Sequence, residues 1–333
     1  MGLSPNNAVT GDGEGLHLGP ALLREHFLIN PDAPLEEYDS PSAKAYAVED
    51  RRDLGRALFA LICTPGLPPR TDVMAVLKDD FIAGLLPLVE WGTFFWPPLG
   101  QTCMAIVFER PLGGRVLTAL AEGETSLNQY EIQSRFIELA SAAISELSNR
   151  SVQHRAIRSI NLFYLDEKRT KIVLGECVSA PAGFDQPIAF ETIEKAMSDP
   201  GGRGEGDISE DIFALGVTIV HLLLKKDPIA GMSDVQHFTA RVEHGTYATL
   251  CGKARIPMPL IEPLRGMLSD SSLERWGPEQ LSLWIDGKRQ TPMQKGLSPI
   301  AKEPFRFTGK AYLSPRMLAW AFSKNTPEAV KII

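Results

Sequence analysis

The chain has 333 residues, 44% of them hydrophobic, so it has enough apolar material for the core of one large or two modest domains and is not a disordered protein. Its 34 basic and 41 acidic residues give a net charge of −7, which argues against a general nucleic-acid binder, because such proteins present a basic face. Its cysteines stand singly without C-x-x-C spacing, so we expect neither a zinc site nor a disulfide framework, and a reducing, cytoplasmic location is favoured.

The amino-terminal residues 1–20 are rich in Gly, Asn and Pro, and we interpret them as a flexible leader. They do not combine a basic start, a long apolar run and a small-residue cleavage site, so we expect no signal peptide. The longest strongly apolar run, residues 212–224, is 13 residues long. Such a run is too short to span a bilayer and is typical of a helix buried in a core, so we expect no membrane segment.

Short stretches with aromatic and β-branched residues, separated by Pro, Gly and Asp clusters, predict a small antiparallel sheet in the first third of the chain. These strands are predicted at residues 26–29, 43–49, 57–63, 85–91 and 103–109. One helix is predicted among them at residues 71–78, where Thr71 can cap the first turn.

Beyond residue 114 the hydrophobic period becomes helical. Apolar side chains recur at the spacing of a core helix over four turns, at Ile132, Phe136, Leu139, Ala143 and Leu147. A short strand pair is predicted at residues 162–165 and 171–174, and a flexible loop with four glycines at residues 199–207 precedes the buried helix. The second half is therefore expected to be mainly α-helical.

The last part of the chain is predicted to be an addition to the sheet and helical regions described above. Residues 289–306 form a connector that contains Pro and Lys, and residues 311–333 have helical character, with a helix start at Thr326 and Pro327. We interpret residues 288–333 as a linker and helical extension, and as a candidate for the start of a further, truncated region.

Two stretches carry a resemblance to a known family. Residues 154–161 read H-R-A-I-R-S-I-N, and residues 207–216 read D-I-S-E-D-I-F-A-L-G. In order and spacing they resemble the H-R-D-L-K-P-E-N catalytic loop and the D-I-W-S-L-G helix of eukaryotic-like protein kinases of a degenerate, bacterial type. The resemblance implies an α+β, two-lobed protein-kinase-like fold, with an antiparallel amino lobe at 21–110 and a mainly helical carboxy lobe at 111–287.

The resemblance also implies that the groups responsible for catalysis are replaced. The loop aspartate that accepts the substrate proton corresponds to Ala156, whose methyl group cannot accept one. The lysine that holds the nucleotide phosphates aligns with Ile62, and the magnesium-binding aspartate of D-F-G aligns with Gly175. The phosphate-covering loop aligns with residues 38–43, which contain no glycine, so this loop is expected to cradle phosphate poorly.

The structural half of the family signature is retained. His154 and Arg155 begin the loop, and Asp211 matches the aspartate that accepts hydrogen bonds from the loop backbone. Glu191 resembles the A-P-E glutamate, and Arg275 resembles its arginine partner. We therefore expect a partly buried ion pair between Glu191 and Arg275, with a cost of about 3–5 kcal/mol for breaking it from one side.

Three residues are candidates for a residual nucleotide site. Asn161 stands at the position of the second magnesium ligand, Arg158 replaces a lysine beside the transferred phosphate, and Glu176 follows the lost aspartate. In the competing interpretation, Asn161 satisfies backbone groups and Arg158 orders the loop. We favour the second, because one neutral amide is a weak anchor for a hard divalent cation.

The sequence therefore favours a pseudokinase, an inactive signalling scaffold that binds protein partners and requires neither ATP nor a metal ion. The alternative is an atypical serine/threonine kinase or nucleotidyltransferase that uses ATP and Mg²⁺. In that case Glu176, Asp185 or Asp166 would replace the lost metal ligand, and Lys44 or Lys171 would reach the phosphate.

A third class, a binder of small apolar molecules in the old adenine cleft, also fits the sequence. In this class Phe108, which precedes the segment that links the two lobes, would stand at the back wall of the cleft and narrow it.

Overall fold

The computed structural model describes residues 19–252, 254–288 and 300–332. Nearly all of the predicted leader and most of the predicted connector lie outside the described residues. The first third forms an antiparallel sheet of six strands in the order β1-β2-β3-β4-β6-β5. The strands are β1 (Ala21–Leu23), β2 (Phe27–Pro34), β3 (Ala43–Asp50), β4 (Leu58–Cys63), β5 (Leu88–Trp96) and β6 (Gln101–Glu109). The predicted antiparallel sheet is confirmed, with β1 as an additional edge strand.

The sheet curls, because β1 packs against β5 across its open side. It thereby encloses one apolar cluster, which includes Ile29, Ile62 and Trp96, while its other face packs onto the helical half. Successive side chains of a strand point to opposite faces, so a strand between two cores is apolar at every position. All six residues of β4 are buried for this reason.

Helix α1 (Thr71–Asp79) forms where the sequence pattern predicts a helix, and it packs beside β5. The predicted cap is wrong, because Thr71 is already helical and the N-cap position is held by Arg70, whose side chain does not cap the helix. The second half is mainly helical, with a short antiparallel pair formed by β7 (Leu162–Tyr164) and β8 (Ile172–Leu174). Its helices are α2 (Val116–Ala121), α3 (Gln129–Ile132), α4 (Glu138–Asn149), α5 (Ile193–Ala196), α6 (Ile208–Leu224), α7 (Asp234–His244), α8 (Thr246–Cys251), α9 (Met258–Met267) and α10 (Pro278–Ile285). A π-helical turn at Gln133–Ile137 joins α3 to α4, so the predicted core helix is continuous but not purely α-helical.

Helix α6 is the centre of the helical half. It begins four residues before the predicted apolar run, because the Asp207 side chain caps it by accepting a hydrogen bond from the Ser209 N–H at 2.7 Å. It ends at Leu224, and the next residue, Lys225, adopts a left-handed conformation with φ +53°. Within the part of the chain that the structure describes, no helix is both long and apolar enough to cross a membrane.

The carboxy-terminal extension contains a feature that the sequence did not predict. A hairpin of β9 (Phe305–Phe307) and β10 (Lys310–Tyr312) precedes α11 (Pro315–Lys324) and α12 (Thr326–Val330). The extension docks on the helical half, where the Trp320 ring stacks on the Phe238 ring of α7 at 4.0 Å. Three-residue strands are too short to show an alternating pattern, so this hairpin left no periodic signal in the sequence.

Candidate functional site

The cleft between the sheet and the helical half is filled by aromatic side chains of the protein itself. The loop between β2 and β3 turns inward at Tyr38, which is 8% exposed. The Tyr38 ring lies 5.0 Å from the Phe59 ring above it and 5.8 Å from the Phe163 ring below it, and Phe59 stacks on Phe108 at 5.6 Å. The Tyr38 hydroxyl donates to the carbonyl of Pro111 at 3.0 Å. One apolar core therefore continues from the sheet through the cleft into the helical half.

Arg115 fixes this loop from the helical side. Its guanidinium donates to the carbonyl oxygens of Glu37 at 2.6 Å and Asp39 at 2.5 Å, and also to the carbonyl of Ile160. It lies over the Phe163 ring, 4.9 Å from the centroid. Burial lowers the pKa of Arg115, and the nearby Arg158 lowers it further. A single cation thus joins the inward loop to Ile160, in the segment that the resemblance aligns with a catalytic loop.

The Glu176 carboxylate is fully engaged within the protein. It accepts hydrogen bonds from the hydroxyls of Ser40 and Ser179, the second at 2.7 Å, and from the backbone N–H groups of Val178 and Ser179, both at 2.9 Å. Ser40 belongs to the inward loop, so Glu176 ties that loop to the helical half. A second tie forms close by, where the Ser42 hydroxyl donates to Asp185 at 2.6 Å.

Asn161 uses its side chain to hold the local backbone. Its Nδ2 donates to the carbonyls of Ala156 at 3.0 Å and Glu176 at 2.8 Å. Its Oδ1 lies against Gly175, where a Cβ atom would overlap it and would also stand 2.8 Å from the Phe163 ring. The position that the resemblance aligns with a magnesium-binding aspartate therefore has no room for any side chain.

This packing gives a prediction for Gly175→Ala. The added methyl group must displace Asn161, which two hydrogen bonds hold, so we expect the free energy of unfolding to fall by about 1–3 kcal/mol. Gly201→Ala is the matched control, because a Cβ atom there meets nothing within 4 Å. Chemical denaturation of both variants tests the prediction, and equal midpoints for the two would contradict it.

The alignment of the kinase lysine with Ile62 needs correction. Ile62 belongs to the cluster that the curled sheet encloses, whereas Leu61 and Cys63 belong to the core that faces the helical half. The alignment of β4 with the kinase strand was displaced because both faces of β4 are apolar. Without an alternation of polar and apolar residues, the sequence does not show which side chains face the cleft. Burial and the Glu176 carboxylate raise the pKa of the cleft-facing Cys63 thiol.

Arg158 is buried beside these groups, with 2% exposure. Its Nη1 lies 3.5 Å from Gln186 Oε1, and the Gln186 amide in turn donates to the carbonyl of Ile157 at 2.7 Å. Burial lowers the pKa of Arg158, while the carboxylates of Glu176 and Asp185 raise it. The guanidinium is therefore the cationic counterpart of the two carboxylates that hold the inward loop.

Asp211 anchors the beginning of residues 154–161, the segment that the resemblance aligns with a catalytic loop. Its carboxylate accepts hydrogen bonds from the backbone N–H groups of His154 at 2.6 Å and Arg155 at 2.8 Å, the contact that the resemblance implies. Arg155 has φ +58°, a conformation that costs energy for a residue with a side chain. The two bonds hold that conformation in place. Burial raises the pKa of Asp211 to about 6, against the effect of these bonds.

The expected Glu191–Arg275 pair is wrong. Both carboxylate oxygens of the fully buried Glu191 accept a hydrogen bond from Arg155 Nη2, at 3.0 and 3.1 Å. Arg203 Nη1 lies 3.9 Å from Oε1 of the same carboxylate. Arg155 also pairs with Glu210 at 3.0 Å. Because these two cations already pair with Glu191, Arg275 forms its contacts with other groups. It donates to the Ser269 carbonyl and lies over an aromatic ring of α6.

Arg70 is an important residue that sequence reasoning missed. It stands just before α1 and is 5% exposed. Its guanidinium donates to the carbonyls of Gln153 at 2.8 Å, His154 at 3.0 Å and Cys177 at 3.0 Å, and it pairs with Glu205. It therefore joins the sheet half to the helical half behind the filled cleft. A lone arginine after a proline pair has no motif that could have revealed this role.

Two histidines of the helical half are buried, His221 in α6 and His237 in α7. His221 Nδ1 lies 3.2 Å from the Ser159 hydroxyl. His237 is 1% exposed, and neither of its ring nitrogens has a hydrogen-bond partner among the described residues. Burial, helped by the charge of Arg241, lowers the pKa of His237 to about 4.

His237 gives a prediction for the pH dependence of stability. Its pKa in the folded protein lies below the unfolded value of about 6.5. The contribution of the neutral ring to the stability of the fold is therefore complete above about pH 6.5 and declines as the pH falls toward 4. His237→Leu removes the titrating ring, so the variant does not lose stability from this position at low pH. We expect the stability advantage of the variant over the native chain to grow by about 2 kcal/mol between about pH 8 and about pH 5. Denaturation at both pH values measures it, with the exposed His244 replaced as control, and an advantage independent of pH would contradict it.

Comparison with known proteins bears on the fold. No family model matches the sequence, and no curated protein matches it. Among solved structures, the chain is similar to the crystal structure of Rad53 1-466 in complex with AMP-PNP, with a TM-score of 0.59 and 16% sequence identity. The match covers 78% of this chain and 66% of that one. The chain has a protein-kinase-like fold. The amino-terminal antiparallel sheet and the helical carboxy-terminal part fit a two-lobed fold of this kind, and they are called the amino lobe and the carboxy lobe below.

Proposed function

We propose that this chain is a pseudokinase, a kinase-shaped module that presents its surface to protein partners and does not transfer phosphate. The observation that carries the proposal is the position of Tyr38, whose ring occupies the space between the lobes and continues the core from Phe59 to Phe163. Arg115 and Glu176 hold the loop that bears it. Entry of a nucleotide base would require all of these contacts to break.

The residues around the cleft do not fit a nucleotide and its magnesium ion. Phosphoryl transfer depends on a base for the substrate hydroxyl, a lysine on the phosphates and carboxylates on the metal. Ala156 and Gly175 supply none of these groups, and the carboxylates of Glu176 and Asp185 already accept hydrogen bonds from serines. A general base contributes about 10²–10⁴-fold to a rate. A charge-stabilising donor contributes about 10²–10³-fold. Even with incomplete additivity, their loss removes the turnover of an ordinary kinase.

Two of the groups considered for an atypical phosphotransferase, Lys44 and Asp166, are also engaged elsewhere. Lys44 pairs with Asp39 at 2.6 Å on the exposed side of the loop. Asp166 accepts hydrogen bonds from Thr170 and Lys171 within the β7–β8 turn. A rearranged active site that used Lys44 or Asp166 would therefore have to break these contacts first.

Labelled phosphate distinguishes the two functions. The purified chain is incubated with Mg²⁺ and ATP labelled at either the γ- or the α-phosphate, with a generic protein substrate, and incorporation is compared with that of Asn161→Ala. We expect no incorporation above background in either protein. Stoichiometric incorporation that Asn161→Ala abolishes, in a variant that melts like the native chain, would establish the atypical enzyme instead.

A further inference from the structure

A second cavity lies apart from the filled cleft, where α2, the end of α6 and the turn before α7 meet. Its volume is about 470 Å³, within the range of pockets that bind small molecules. Most of its lining is apolar, with contributions from Leu117, Ile160, Phe190, Ile229 and Met232. The cavity is thus large enough for a bicyclic ring system and offers it mainly apolar contacts.

One buried polar side chain of the lining, His221, has a ring nitrogen without a hydrogen-bond partner among the described residues. His221 is 6% exposed, and its Nδ1 lies 3.2 Å from the Ser159 hydroxyl. Its Nε2 has no hydrogen-bond partner among the described residues, and Asp227 Oδ1, at 3.9 Å, is too far for one. Burial lowers the pKa of His221, so the ring is neutral near pH 7. A buried ring nitrogen without a partner costs stability, which a ligand could recover.

The charges around the cavity balance. Lys225 and Lys226 contribute two positive charges, and Asp227 and Asp234 contribute two negative ones. With a neutral imidazole among them, the lining favours neither an anion nor a cation. An uncharged ligand therefore fits these surroundings best.

We propose that this cavity binds a small, uncharged, mainly aromatic molecule whose hydroxyl group hydrogen-bonds to Nε2 of His221. A hydroxyl both donates and accepts, so it suits either tautomer of the ring. Solvent does not reach Nε2, so the hydroxyl gains access as the half-exposed Asp227 side chain turns.

Two probes of one shape test the hydrogen bond. Binding of 2-naphthol and of naphthalene to the full chain is measured by ligand-observed NMR. We expect 2-naphthol to bind about five- to tenfold more tightly, the usual gain from one hydrogen bond. His221→Phe keeps a ring at this position but removes its nitrogens, so it should make the two affinities equal. Failure of both probes to bind, or a preference that survives in His221→Phe, would overturn the proposal.

A blocking variant locates the binding and guards against a misfolded His221→Phe. Ala121 lines the cavity at the exposed end of α2, where a large side chain can be accommodated without disturbing the core. Ala121→Trp should abolish binding of both probes and leave the melting temperature unchanged. Undiminished binding in this variant would place the probes elsewhere and refute the assignment. None of these results depends on whether the cleft transfers phosphate.

Discussion

Replacement of Glu191 by alanine is expected to lower the free energy of unfolding by about 3–5 kcal/mol, the cost of removing one partner from a buried ion pair. Glu191 is fully buried and receives Arg155 Nη2 on both oxygens, with Arg203 Nη1 at 3.9 Å. Without it, two guanidinium groups remain in the core with too little compensating charge. Arg155 would keep its pair with Glu210, whereas Arg203 would lose the carboxylate that lies 3.9 Å from it.

Glu194→Ala is the matched control. Glu194 lies three residues further along the chain, is half exposed and pairs with Arg316 at 3.6 Å. Exposed pairs contribute about 0–1 kcal/mol, so this variant should unfold close to the native midpoint. Urea denaturation followed by circular dichroism measures both. A Glu191→Ala protein as stable as Glu194→Ala would show that Glu191 does not hold the buried network.

Replacement of Tyr38 by alanine is the second change with a large expected effect. Removal of a buried aromatic ring from a packed core costs about 3–5 kcal/mol, and Tyr38 packs between Phe59 and Phe163. Tyr38→Phe retains the ring and loses only the hydrogen bond to Pro111, so it should cost about 1 kcal/mol. The difference between the two variants in the same denaturation experiment isolates the packing of the ring.

Tyr130→Ala controls for the loss of a tyrosine as such, because Tyr130 is 70% exposed and stands in the first turn of α3. It should cost little. If Tyr38→Ala were no more damaging than Tyr130→Ala, the ring would not fill the space between the lobes, and the explanation for a closed cleft would fail.

The elements with strong periodicity were predictable from sequence. The four-turn stripe ending at Leu147 and the apolar run of α6 both form core helices. Leu139 is the exception in the predicted stripe: it follows the π-helical turn, which shifts the helical phase, and Ala140 is buried instead. The position of Asp211 followed from the order of two motifs. Its contacts with the backbone of His154 and Arg155 were predictable as well, because they require only that the start of α6 lies beside that loop.

Other features depended on contacts that no local pattern encodes. The register at Ile62 was ambiguous because β4 is apolar on both faces. The partner of Glu191 was misassigned because several arginines compete for one carboxylate, and three-dimensional proximity decides between Arg155 and Arg275. The inward turn of Tyr38 depends on a distant cation, Arg115, which holds the backbone on both sides of the ring.

The contacts between the lobes explain why the cleft does not open at little cost. Arg70 joins the start of α1 to three carbonyls of the carboxy lobe, and Arg115 joins the inward loop to Ile160. Ser40 and Ser42 add two further ties to carboxylates of the carboxy lobe. Opening would separate these polar partners and expose the apolar surface of Tyr38 at the same time.

The most direct measurement of the central claim is thermal melting of the full chain with ATP, with and without Mg²⁺. A ligand present at about 100 times its dissociation constant stabilises a folded protein by about 2.7 kcal/mol. Because Tyr38 fills the cleft and Glu176 is engaged by Ser40, we predict that neither ATP nor ATP with Mg²⁺ changes the melting temperature. A saturable increase with ATP, greater in the presence of Mg²⁺, would show that the cleft binds nucleotide and would contradict the account.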